Sequence, residues 1–151
     1  MEGLQRERAV QSVEISTIAH ATDDLAKVQA ALRSILPESL REREIFTRRY
    51  LQGHHGNPIT TFDARLTKLG DVEDFTRHFM KHMSRSEKLS IERDLDLHSD
   101  EEGNLFIRVD KQQAFRGIVE VGDEDPIRVR FKFSRFSGKP EDLMKEVLES
   151  E

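Results

Sequence analysis

The chain is expected to adopt an α+β fold, a largely antiparallel sheet with helices packed on one face. Strand-like and helix-like runs mix without a regular βαβ alternation. Neighbouring strand-like runs are joined by short turn segments, as in hairpins. The clearest strands alternate apolar with polar residues, so one face of the sheet is dry and the other wet.

Residues 1–12 read as a flexible N-terminal tail and residues 13–151 as a single α+β domain. In SVEISTIAHA, Val13, Ile15 and Thr17 alternate with Glu14 and Ser16, the period of a half-buried strand. Thr22 is expected to cap a helix with Asp23 and Asp24 in its first turn. Leu25, Val28, Leu32, Ile35 and Leu36 share one face of that helix, and Pro37 ends it. EIFTRRYLQ and ITTFDARLT, rich in β-branched and aromatic residues, form a hairpin around GHHGNP, where Gly53, Gly56 and Asn57 supply unusual backbone angles. The run after Gly70 sets Val72, Phe75, Phe79 and Met83 on one helical stripe, and Ser86 caps a further short helix through Arg93.

LDLH and LFIRVD are expected to pair as a second hairpin around the acidic turn SDEEGN. DKQQAFRG makes one or two helical turns closed by Gly117. The last strand, IRVRFKF, points Ile127, Val129, Phe131 and Phe133 inward and Arg128, Arg130 and Lys132 outward. Pro140 suits the first position of a closing helix that carries Leu143, Met144, Val147 and Leu148.

At 151 residues the chain is long enough to bury a continuous core. It contains no cysteine, which excludes disulfides, thiolate metal sites and cysteine nucleophiles. No apolar run approaches a membrane span, and MEGLQRERAV lacks the apolar stretch of a signal peptide, so a cytoplasmic location is expected. The net charge of −5 does not advertise nucleic-acid binding, but the charge is segregated. PIRVRFKFSRFSGK, residues 126–139, holds five cations and no acid, whereas LDLHSDEEGN is acidic.

Metal chemistry finds little support. Adjacent His54 and His55 point in opposite directions in extended chain and chelate poorly. His78 and His82 are four apart on a helix, but HFMKH lacks the glutamate a zinc protease needs. The acidic run resembles a calcium loop only until Ser99, which stands where that loop needs glycine. No metal, cofactor or catalytic residue is assigned, and the chain is read as a non-enzyme. The basic residues carry the functional reading. Arg128, Arg130 and Lys132 project at roughly 6.5–7 Å intervals, comparable to phosphates along a strand of nucleic acid. Arg48, Arg49, Tyr50, Gln52, His54, His55 and Asn57 add cations and stacking groups, and Gly53 and Gly56 allow close backbone approach. Lys111, Gln112 and Arg116 form a third set.

FTRRYLQGHHGNPI, LFIRVDKQQAFRG and IRVRFKF resemble a small archaeal family of predicted RNA-binding, exosome-associated proteins, similar in fold to the ribosomal protein that binds 5S rRNA. The resemblance runs from about Val13 to Phe136. It implies RNA as partner, in an archaeal cytoplasm and beside the RNA-processing exosome, but transfers no residue-level site. The expected function is therefore an RNA-binding accessory factor. A protein–protein adaptor ranks second and a metal-dependent nuclease third, and an exposed edge strand could pair across a homodimer. Whether residues 48–57 and 128–132 share one face decides whether the first hairpin is a phosphate clamp or only a tight turn.

Overall fold

The structure is a computed structural model that describes residues 9–53, 55–134 and 136–149. Five strands form one sheet in the order β2-β3-β1-β5-β4: β1 (Val10–His20), β2 (Thr47–Gln52), β3 (Pro58–Leu66), β4 (Leu105–Val109) and β5 (Ile127–Phe133). Every neighbouring pair is antiparallel. The helices are α1 (Leu25–Ser34), α2 (Glu38–Arg41), α3 (Leu69–His82), α4 (Arg85–Arg93), α5 (Lys111–Phe115) and α6 (Pro140–Glu149). The expected α+β class and the antiparallel sheet are both present.

Period-two patterning selects the dry face. Across the sheet, Leu66, Val13, Phe131 and Leu105 lie in one row, and Ala64, Ile15, Val129 and Ile107 in the next. All of these residues are buried. Against them pack Phe75 and Phe79 of α3, whose rings lie 6.2 and 5.7 Å from that of Phe131. Their spacing of four puts both on one helical stripe, as the sequence predicts. The apolar residues of α6 (Leu143, Met144, Val147 and Leu148) are buried too. No helix of the described residues is long and apolar enough to cross a membrane.

Several local expectations need correction. The sheet begins at Val10, so residues 10–12 belong to β1 rather than to the tail. Asp24, not Thr22, caps α1. Residues 20–23 first close a turn, in which the His20 N–H donates to the Asp23 carboxylate at 2.7 Å and the Asp23 N–H to the His20 carbonyl at 2.9 Å. Ser84 replaces Ser86 as the cap of α4, accepting from the Glu87 N–H at 3.1 Å in a Ser-x-x-Glu start.

LDLH is a 3-10 turn (Leu95–His98), and the anticipated second hairpin shrinks to one isolated bridge, Ser99 to Leu105. LDLH closes on itself: the Leu97 N–H donates to the Asp94 carbonyl at 2.9 Å and the Ser99 hydroxyl to the Leu95 carbonyl at 2.7 Å. The Asp100 carboxylate then accepts from the Glu102 N–H at 3.0 Å, the Asn104 N–H at 2.9 Å and the Asn104 side-chain amide at 3.0 Å. These bonds close residues 100–104 into a tight turn around the Asp100 carboxylate. Burial opposes its ionisation, yet the bonds from Asn104 and Glu102 outweigh it and hold the carboxyl below its usual range. Leu97 is 75% exposed, so the Leu95/Leu97 alternation was not a record of burial.

Candidate nucleic-acid interface

The wet face of the sheet is where the cations converge. Register places Arg108 beside Arg128, with Ser16 and Asp63 continuing that row. The next row is Phe106, Arg130, Glu14 and Arg65. Lys132 sits opposite Ser12, and Arg49 opposite Thr61. Thus Arg49, Arg65, Arg108, Arg128, Arg130 and Lys132 share one face with only Glu14 and Asp63 as strand carboxylates, although the whole chain is acidic. Strands about 4.8 Å apart and side chains of one face about 6.5–7 Å apart make this a lattice of positive charge at phosphate-like spacing.

These six cations are not equivalent. Arg130 is ion-paired with Glu14, and its guanidinium lies 5.9 Å from the Phe106 ring centroid. Its Nε is buried without a hydrogen-bond partner. Arg130 therefore organises the face instead of offering a free fork. Among the described residues, no carboxylate comes within 4.0 Å of Arg49, Arg65, Arg108, Arg128 or Lys132, and all five are exposed. Arg65 and Arg108 were missed in the sequence. Each is the single cation of its strand, and its outward parity between buried neighbours was the available signal.

The first hairpin divides between the two faces. Arg48 pairs with buried Phe62 and Tyr50 with buried Thr60, so both point to the helix side, as does Gln52 opposite Pro58. Arg48 lies 5.2 Å over the Phe62 ring, and its Nη1 donates to the Tyr50 hydroxyl at 3.4 Å. Of Arg48, Arg49, Tyr50 and Gln52, Arg49 alone joins the face that carries Arg128. Alternation along an extended strand makes this split unavoidable.

The hairpin tip is a tight turn. The Gly53 N–H donates to the Asn57 carbonyl at 2.5 Å and the Gly56 N–H to the Gly53 carbonyl at 3.0 Å. A Cβ on Gly53 would stand 2.9 Å from the Asn57 carbonyl oxygen, and Gly56 has φ +80°. Both glycines serve backbone geometry. His55 is exposed, and His54 lies outside the described residues.

The third set does not reach the cationic face. The Lys111 side chain is 12% exposed; its ammonium donates to the Ile18 carbonyl at 2.7 Å and pairs with Asp125 at 2.9 Å. Gln112 and Arg116 border a cleft in which Asp23, Asp24, Asp110, Glu124 and Asp125 outnumber the cations Lys27, Lys111 and Arg116. An acidic rim repels phosphate.

The histidine and carboxylate clusters are occupied by local contacts. His82 Nδ1 lies 2.8 Å from the His78 carbonyl oxygen, and the two ring centroids are 4.1 Å apart with the planes tilted by 33°. Burial, then the neighbouring His82, lowers the His78 pKa. His20, Asp23 and Asp125 bring potential ligand atoms within 4.8 Å of one another, but the Lys111 ammonium already neutralises Asp125 there.

A family model described as RNA binding matches residues 12–133. The chain belongs to the RNA-binding family. It is similar to the RNA-binding protein PAB1135 of Pyrococcus abyssi, at 33% identity over 140 residues and 91% of each chain. A second relative, the uncharacterized protein MJ0213 of Methanocaldococcus jannaschii, is 33% identical over 144 residues, covering 93% of this chain and 96% of its own. The crystal structure of protein AF2318 from Archaeoglobus fulgidus superposes with a TM-score of 0.75 at 28% identity, over 90% of this chain and 95% of that one. All six cations of the wet face fall inside the span matched by the RNA-binding family.

Proposed function

We propose that this protein binds RNA through the wet face of its sheet, without catalysing a reaction, as an accessory factor in archaeal RNA processing. Arg49, Arg65, Arg108, Arg128 and Lys132 contact phosphates, and Arg130 holds Phe106 and Glu14 in place beneath them. The observation that carries this reading is the cross-strand alignment of cations on the wet face of the sheet in an acidic protein. Membership of the RNA-binding family and the name of the Pyrococcus relative support it. Association with the exosome and kinship with the 5S-rRNA-binding ribosomal protein are what the sequence resemblance implies, and a cytoplasmic location follows from the sequence composition and that resemblance together.

The test is retention of labelled single-stranded and duplex RNA at low ionic strength. Wild-type protein is expected to bind, and Arg49→Glu/Lys132→Glu to lose most of that affinity, since reversal places two carboxylates where phosphates approach. Equal retention by the variant would remove the sheet face from the site. For the exosome, capture of its subunits that disappears on RNase treatment is the outcome expected of an RNA-bridged association.

A further inference from the structure

On the helix side of β2 a cleft of about 470 Å3 opens between α1, α2 and the strand. That is within the size range of small-molecule sites. Of its apolar lining residues Leu36 and Phe62 are buried and Phe46 is half-buried, and Arg33, Arg41, Arg43 and Arg48 line it as well. Glu42 and Glu44 also border it. Arg43 is already neutralised by Asp71, through two hydrogen bonds of 2.8 and 3.1 Å. The other three arginines differ. Among the described residues no carboxylate comes within 4.0 Å of Arg33, Arg41 or Arg48. Arg41 is positioned by its Nε, which donates to the Leu36 carbonyl at 2.9 Å and leaves the terminal nitrogens of the fork available. The Arg48 guanidinium carbon lies over the Phe62 ring, 5.2 Å from its centroid. Tyr50, 70% exposed, stands on the same side of the strand.

Unneutralised guanidiniums around a cleft that also presents a half-buried aromatic ring, Phe46, match a ligand that is anionic at one end and flat at the other. We infer that this cleft takes one nucleotide, its phosphate among Arg33, Arg41 and Arg48 and its base against the Phe46 or the Tyr50 ring. This deepens the RNA reading and rests on it for where the nucleotide comes from. β2 is an edge strand with every residue exposed, carrying Arg49 on the wet face and Arg48 and Tyr50 on the cleft side. A flexible RNA strand lying across the wet face can thus turn round this edge and seat a nucleotide behind it. An RNA duplex is too stiff and wide to do so, which makes the cleft a selector for single strands.

The test is amide and arginine side-chain NMR of the full chain, titrated with a nucleoside 5′-monophosphate, the matching nucleoside and a short single-stranded oligoribonucleotide. The monophosphate is expected to shift Leu36, Phe46, Phe62 and the three arginines, the nucleoside to shift them far less, and the oligonucleotide to shift both the cleft and the β5 face. Arg33→Ala/Arg48→Ala, two substitutions of exposed side chains, should weaken monophosphate binding by about tenfold or more while leaving the rest of the spectrum in place. An oligonucleotide that shifts only the β5 face would overturn the cleft and leave the RNA reading standing. A monophosphate that shifts the cleft with no oligonucleotide binding anywhere would retain the nucleotide site and overturn its RNA origin. No shift at the cleft with either phosphate-bearing ligand would overturn the inference.

Discussion

Arg108 and Arg128 stand side by side on β4 and β5, exposed and without a carboxylate within 4.0 Å among the described residues. Replacing both by alanine removes two phosphate contacts without stranding a buried charge, so the fold should persist. For a single-stranded ligand each contact contributes about 0.7 to the slope of log affinity against log salt, and the double variant should lose about 1.4 of it. Across a fourfold rise in salt, from about 50 to about 200 mM, that difference amounts to about sevenfold: the wild type loses about seven times more affinity than the variant. Fluorescence anisotropy with a labelled oligoribonucleotide, repeated at four or more salt concentrations, measures both slopes. Parallel lines for the two proteins would refute the placement of RNA on this face, even if the variant bound more weakly at every point.

Arg130→Ala should behave differently from its neighbours. It removes the Glu14 pair and the Phe106 contact at a position 37% exposed, so chemical denaturation should reveal a loss of about 1–2 kcal/mol, with little change in the salt slope. Lys111→Ala should lower stability by about 1–3 kcal/mol, because the Ile18 carbonyl and Asp125 lose their ammonium, while RNA affinity at low salt stays at the wild-type value. Gly56→Ala, at φ +80°, should cost about 1–2 kcal/mol, and hydrogen exchange should locate the loosening at the Gly53 amide. For His78, the unfolded chain takes up a proton near its ordinary value of about 6.5, whereas the folded protein resists protonation. Stability should therefore be unaffected by this group above about pH 6.5 and fall as pH drops from there through the lowered folded value. His78→Gln should flatten that part of a melting-temperature profile; an unchanged profile would contradict the burial argument.

Much of the fold was legible because burial leaves a local trace. IRVRFKF carries its inward and outward faces in its own alternation, and Phe75 and Phe79 declare a helical stripe by their spacing. Helix caps were displaced by two residues because Thr22 and Ser86 are as capable as Asp24 and Ser84 by residue type. The competing turn at 20–23 and the glutamate at position 87 decided between them. LDLH misled for a related reason: its two leucines are spaced like a strand, but the Asp94 and Leu95 carbonyls accept from Leu97 and Ser99 and wind the segment into a 3-10 turn.

The candidate interface was only half visible. Three of its cations sit on one strand and announce themselves, while Arg65 and Arg108 are isolated in sequence and join the array only through pairing to β1 and β5. Likewise, RRY at 48–50 reads as a single basic cluster, yet the pleat sends Arg49 to one face and Arg48 with Tyr50 to the other.

Local alternation of apolar and polar residues therefore determined, from the sequence alone, that a sheet would form and which side of each strand would be dry. Which charges become neighbours depended on strand order and register, and these are settled by long-range backbone pairing and by packing against α3. Pairing partners more than a hundred residues apart, such as Ser16 and Arg128, leave no mark in the sequence around either one.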